Sequence, residues 1–163
     1  MASTRDKFAV REATSDDHAI CARILTQAWV SALPTRRRKV GLAEFREQTE
    51  GELLFVAACK RSVVGFISIW EQEWFVHHLF VDPAFQNRGV GTRLLIHVST
   101  LAGDRELSLK CPTDNQSAIR FYTRLGFNPT ALQGVDEFGE WVELRGRPRS
   151  CSVVPTTVAA PSD

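Results

Sequence analysis

The stretch FVDPAFQNRGVGTRLL, residues 80–95, runs an apolar strand-like segment, an Asp-Pro turn, two glycines and a helix-like segment in direct succession. A strand that ends at Val81, turns at Asp82-Pro83 and enters a helix through Gly89 and Gly91 is an anion-binding arrangement. Glycines let the backbone approach a ligand closely, and the N–H groups of a helix start point at it. The helix dipole favours negative charge there, and Arg88 adds a charge-assisted contact to phosphate. The same Gly-x-Gly also serves as a plain chain reversal. It is neither the Gly-x-Gly-x-x-Gly dinucleotide fingerprint nor a P-loop, since no Gly-Lys-Ser/Thr follows. Alone, the stretch leaves both readings open.

Working outward, 163 residues suit one domain with a proper core. An apolar fraction of 44% and a charged fraction of 24% are ordinary for a globular chain. With a net charge of +1, no global field argues for nucleic acid or a membrane surface. The local run Arg36-Arg37-Arg38-Lys39 reads as a solvated loop or as a binding patch. Cys21, Cys59, Cys111 and Cys151 form no CxxC pair and read as small apolar residues of a reducing compartment. No metal is expected. The start MASTRDKFAVRE lacks the apolar segment of a signal peptide, and no window approaches about 18 apolar residues. A cytoplasmic protein without a membrane partner is the expectation.

The chain alternates element types. Phe8 to Glu12 predicts a first strand, and Ser15 with Asp16 and Asp17 signals a helix start. Ile20, Cys21, Ile24, Leu25, Ala28 and Trp29 then recur on one helical face. GLAEFREQTEG predicts a second helix closed by Gly51, and ELLFVAACK, SVVGFISIWE and WFVHHLFVD predict three strands joined by hairpins. After Gly91 a helix places Leu94, Leu95, Val98 and Leu101 inward and ends at Gly103. ELSLKC alternates like a strand, NQSAIRFYTRLGF predicts a helix ended by Gly126, and PTALQG and EWVELR close the fold as strands. Residues 1–145 form the expected domain. The segment 146–163, with three prolines and no period, is expected to be disordered. Strands interleaved with helices indicate an α/β or α+β sheet covered by helices.

About thirty residues after the glycine pair, Asn115 stands at a helix start and Tyr122 lies two turns along roughly the same face. Together the two stretches resemble the GNAT superfamily of acetyl-coenzyme A-dependent N-acetyltransferases. Gln86, Gly89 and Gly91 match its Q/R-x-x-G-x-G/A motif. Asn115, Ala118, Phe121, Tyr122, Gly126 and Phe127 match its Asn-x-x-Ala-x-x-Phe-Tyr-x-x-x-Gly-Phe segment. The likeness is explicit over residues 75–127. It implies a mixed, mostly antiparallel, splayed sheet of six to seven strands flanked by about four helices. It also implies acetyl-coenzyme A as co-substrate, bound by Leu79, Phe80 and Val81 through their backbone. Gln86 is among the cofactor-binding positions, and the amides of Asn87, Arg88, Gly89, Val90, Gly91 and Thr92 would cradle the pyrophosphate, with Asn115 on the pantetheine arm. Tyr122 matches the tyrosine that protonates the departing thiolate.

A lysine-like amine with a pKa near ~10.4 is neutral in only about four molecules per ten thousand at pH 7, so a base is useful. The glutamate that many family members place five positions before the asparagine is Lys110 here, and the earlier glutamate of yeast-type histone acetyltransferases falls on Phe75. Arylalkylamine acetyltransferases place histidines on the strand before the glycine loop, and one such position matches His77. Strict alternation puts His77 on the face of Leu79 and Val81, and His78 on that of Phe80; a bulge would change this. Glu71 and Glu73 are candidates through water, and Cys111 is a packing residue rather than a nucleophile. The acceptor region carries no motif. A small amine, a peptide N-terminus and a lysine side chain all fit, with nucleic acid disfavoured and a homodimer left open. A coenzyme A-binding domain without activity, and a protein- or tRNA-directed enzyme docking through residues 36–39, are the alternatives.

Overall fold

The computed structural model describes residues 8–149. The chain opens with β1 (Phe8–Glu12), a 3-10 turn at Ser15–Asp17, α1 (His18–Ala32) and α2 (Leu42–Gln48). Next come β2 (Leu53–Cys59), β3 (Ser62–Trp70), β4 (Phe75–Val81) and α3 (Val90–Ala102). β5 (Leu107–Pro112), α4 (Gln116–Arg124), β6 (Asn128–Asp136) and β7 (Gly139–Gly146) complete it. The seven strands form one sheet in the order β1-β2-β3-β4-β5-β7-β6. Only β4 and β5 run parallel. The mixed, mostly antiparallel sheet with four helices is the architecture the sequence predicts.

β3 is buried at every position between its two ends, because helices cover both faces of the sheet there. On one face α3 sets Leu94, Leu95, Val98 and Ala102 into a core with Phe127 and Leu144. On the other, α1 and α2 pack Cys21, Ile24, Leu25 and Phe45 against Val56 and Phe66. Leu101, expected inward, is 48% exposed. The stripe advances by four residues from Val98, so the inward place falls to Ala102. The second helix ends at Gln48, with Thr49 as its cap. Gly146 belongs to β7, and the Arg149 amide donates to the Leu125 carbonyl at 2.8 Å. The remainder of the tail expected to be disordered, 150–163, lies outside the described residues.

The start of the first helical segment differs from the sequence reading. Thr14, not Ser15, is the capping residue, and Ser15–Asp17 form a 3-10 turn before α1. The Thr14 amide donates to the Asp17 carboxylate at 2.8 Å, and Arg11 donates two bonds to it, at 2.7 and 3.0 Å. Asp17 thus fastens the end of β1 to the entry of α1. The Arg11 hydrogen bonds lead in holding its carboxyl down at about 2, against the opposing effect of burial.

β4 departs from regular pairing in two places. Ser68 opposes His78 while Ile69 opposes Val76, so His77 is an extra residue in a β-bulge. Toward β5, only Phe75–Ser108 and Val76–Leu109 are paired. Beyond Val76 the two strands separate, and the sheet opens into a wedge.

Asp17→Asn is expected to cost about 1–2 kcal/mol at pH 7, the range for losing a cap and its charge-assisted bonds. The native carboxyl has a depressed pKa, so its stabilisation is present above the ordinary 3.8 and is lost as pH falls through about 2. Urea unfolding of both proteins at neutral pH and near pH 2 should show the difference shrink at the acid end.

Candidate active site

The wedge between β4 and β5 leads to a cavity of about 580 Å³. β4 contributes Leu79, Phe80 and Val81, and the loop into α3 contributes Gln86, Asn87, Gly89, Val90, Gly91 and Thr92. Asn115 and Tyr122 line it from α4. Of the residues predicted from sequence to bind the co-substrate, Arg88 alone does not line the cavity; its guanidinium stacks 5.2 Å from the Phe85 ring centroid. Sequence reasoning missed Ala28, Ser31 and Ala32 of α1, and Phe85, Ser117, Ala118 and Phe121, which also line it. The α1 signal was legible: three small residues at helical spacing mark a stripe that gives way to a ligand or a neighbour.

Local chemistry explains the loop. The Asp82 carboxylate accepts from the Ala84 amide at 2.9 Å, starting a 3-10 turn through Pro83. Asn87 and Gly89 then adopt left-handed φ values of 62° and 84°. A Cβ built on Gly89 meets nothing within 4 Å, so its surroundings are open. The Arg93 amide donates to the Gly89 carbonyl at 3.1 Å. The amides of Val90, Gly91 and Thr92 precede that bond and belong to the turn whose donors helix geometry leaves for outside partners. A concave run of backbone donors at the positive end of α3 suits a phosphate group.

Across the cavity, Asn115 caps α4, its side-chain oxygen accepting from the Ala118 amide at 3.2 Å. Its amide nitrogen remains as the donor for a ligand. Tyr122 is buried between Phe121 and Phe127 in edge-on contacts, with ring centroids 5.1 and 5.6 Å away. Burial, with a smaller contribution from Cys111, raises the phenol above its ordinary value. It therefore stays protonated through the neutral range. Burial likewise pushes the Cys111 thiol up to about 12, which fits a packing residue.

The bulge overturns the alternation expected for the two histidines. His77 and His78 rings lie against each other, centroids 3.8 Å apart, so both sit on one face. His78 is buried near Phe45, Phe66 and Phe80, with Nδ1 2.8 Å from the Ser68 hydroxyl. Burial chiefly, then His77 and Arg38, push its pKa down to about 3. His77 does not line the cavity. Its side chain is 40% exposed, and Nδ1 lies 2.5 Å from an oxygen of Glu52, whose side chain is only 5% exposed. Lys110, in place of the glutamate of many family members, has Nζ 4.2 Å from the Trp141 ring centroid.

Two members of the basic run are structural. Arg36 pairs with Asp114 at 2.6 Å and donates to the Phe138 carbonyl, while its own carbonyl accepts from the Trp29 indole at 2.6 Å. Gly139, at φ 106°, makes room for this guanidinium, which a Cβ would approach at 2.6 Å. Arg38 lies 5.2 Å from the Trp29 ring centroid and 4.6 Å from that of Phe138. The loop between α1 and α2 is thereby strapped to the start of α4 and to the β6–β7 turn.

A wedge-split sheet, a glycine-turned amide cradle and a buried tyrosine across from it define a coenzyme A-type site. Residues 19–127 match the acetyltransferase (GNAT) family, and the chain belongs to that family. An uncharacterised N-acetyltransferase of Methanocaldococcus jannaschii is 44% identical over 86 residues, covering 45% of this chain and 38% of the relative. The peptidyl-lysine N-acetyltransferase YjaB of Escherichia coli is 34% identical over 88 residues, covering 53% of this chain and 57% of YjaB. The chain thus spans less than two thirds of these relatives. The apo-form YjaB structure superposes with a TM-score of 0.68 at 24% identity, over 85% of this chain and 97% of that one. The PaiA N-acetyltransferase of Thermoplasma acidophilum, in complex with coenzyme A, gives 0.70 at 15% identity, over 88% and 99%. At those identities the likeness is one of fold. Among the described residues, no helix is long and apolar enough to cross a membrane.

Gly89→Glu is expected to abolish acetyl-coenzyme A binding, because a carboxylate would enter the amide cradle. The free space around Gly89 leaves backbone strain at its positive φ as the folding cost, about 1–2 kcal/mol. Calorimetric titration alongside circular dichroism should show a folded protein that no longer binds.

Proposed function

We propose that this chain is an acetyl-coenzyme A-dependent N-acetyltransferase acting on a primary amine. The observation that carries the proposal is one cavity with the amide cradle of Gly89–Thr92 on one wall and the protonated phenol of Tyr122 on another. Pyrophosphate would sit on the cradle, and the pantetheine arm would run along Leu79, Phe80 and Val81 to the Asn115 side chain. The thioester then lies at the wedge, where β4 has left its partner strand and its backbone N–H groups can face the carbonyl oxygen.

The neutral amine attacks the thioester carbonyl, forming a C–N bond and an oxyanion. His77 takes the amine proton on Nε2 through water, while Glu52 accepts from Nδ1–H and fixes the ring. Collapse breaks the C–S bond, and Tyr122 gives its proton to the thiolate. Solvent then restores the phenol. Histidine supplies here what the glutamate replaced by Lys110 supplies in other family members.

For the acceptor, a Mycobacterium tuberculosis relative, 39% identical over 61 residues, is named an N-alpha-acetyltransferase, and the E. coli relative a peptidyl-lysine N-acetyltransferase. Both names support a peptide amine, at an N-terminus or on lysine, rather than a free small amine. The aromatic wall of Trp29, Phe80 and Phe138, with adjacent centroids 6.4 and 5.3 Å apart, suits the apolar part of such a chain. Arg36 and Arg38 are engaged within the protein, which weighs against docking of nucleic acid through that loop.

Tyr122→Phe is expected to lower turnover roughly 100-fold or more while leaving acetyl-coenzyme A affinity near its original value. Steady-state kinetics with a lysine peptide and calorimetry of the cofactor test this together. Unchanged turnover would remove Tyr122 as the acid. His77→Gln should lower turnover by a similar factor, again with cofactor binding retained. Absence of any amine-dependent thioester cleavage by the unaltered protein would favour a non-catalytic coenzyme A-binding domain instead.

A further inference from the structure

We propose that Glu52, His77 and His78 form a binding site for one zinc-like divalent metal at the bulge of β4. Each residue offers a ligand atom, and the three atoms lie within 4.8 Å of one another. That spread suits three ligands of one tetrahedral ion, with metal–ligand distances of about 2.0–2.2 Å, after a small adjustment. Two imidazoles and one carboxylate favour zinc and its neighbours over magnesium or calcium, which prefer all-oxygen sites.

Several independent features point to a ligand. The bulge puts consecutive histidines on one face, which a regular strand cannot do. His78 has Nδ1 engaged by the Ser68 hydroxyl at 2.8 Å, leaving Nε2 for the metal with its ring held from behind. The Glu52 side chain is 5% exposed, yet its Oε2 is buried without a hydrogen-bond partner. An unpaired buried carboxylate oxygen is costly, and a cation would satisfy it. His77, 40% exposed, gives an entry path and leaves a fourth position for water. In this state Oε1 of Glu52 and Nδ1 of His77 would exchange their mutual bond for the ion. Binding requires no oxidant or reductant.

The consequence for activity rests on the base assigned above. A metal that takes the His77 ring removes the proton acceptor, so zinc is expected to inhibit acetyl transfer reversibly. The experiment separates the site from the reaction. Zinc would be titrated calorimetrically into the whole chain, and cobalt would be added as a probe whose visible absorption reports tetrahedral coordination. One equivalent per chain is expected, with affinity falling at least about 10-fold in Glu52→Gln and in His77→Gln. Cys59→Ser, at a half-buried thiol, should leave binding unchanged. Circular dichroism confirms that each variant folds; His78→Phe, which keeps an aromatic among Phe45, Phe66 and Phe80, provides a third ligand deletion.

Equal affinity in the unaltered protein and in both Glu52→Gln and His77→Gln would overturn the site, as would no binding at all. Either result could coexist with full acetyl transfer, which would leave the enzymatic proposal intact. Binding that is lost in the variants but does not inhibit turnover would establish the metal site and dismiss His77 as the base.

Discussion

Everything distinctive about this molecule depends on how little β4 and β5 touch. Two parallel residue pairs join them, and past Val76 they part. A continuous sheet would satisfy its own N–H and C=O groups and leave no interior room. Here the separation creates a wedge whose walls carry unpaired strand edges, and the cavity forms beside it. The glycine-turned loop leaves β4 at the wide end, while α4 leaves β5 on the facing side. The cradle and Tyr122 therefore face each other because their parent strands do not.

The same strand concentrates polarity in a mostly apolar interior. His78 stands against three phenylalanines and is held neutral by burial. Glu52 reaches the bulge from the position just before β2, bringing a carboxylate beside two imidazoles. Such a cluster is expensive to bury unless it serves a ligand or a proton transfer. On the neighbouring side the arginine strap covers Trp29 and Phe138, so cations act there as packing material as well as charge.

Much of the fold was legible because its signals are local. β1 spans the predicted Phe8–Glu12, α3 follows the predicted apolar stripe except at Leu101, and eleven of the site residues read from the sequence line the cavity. What escaped the sequence depends on partners distant in the chain. Alternation assigned His77 and His78 to opposite faces, but a bulge is a property of register against β3, and register is invisible in one strand. Glu52 lies 25 residues before His77, with nothing in its neighbourhood to mark it. Arg36 looked like one of four solvated cations, and only the fold shows Asp114 and Phe138 waiting for it. The cap falls at Thr14, one residue before the predicted start at Ser15, where its amide meets the Asp17 carboxylate that Arg11 also holds.

The arginine strap also divides the molecule by contact order. The amide cradle is built from one short contiguous segment, whereas Arg36 reaches a partner 102 residues away. Closing so long a loop carries an entropic cost that the contacts across it must offset. The loop at residues 33–41 and the β6–β7 turn are thus held by contacts between segments distant in the chain, while the amides of Gly89–Thr92 come from one short segment. Substitutions in the loop at residues 33–41 or in the β6–β7 turn therefore act on a different set of contacts from those that shape the glycine loop.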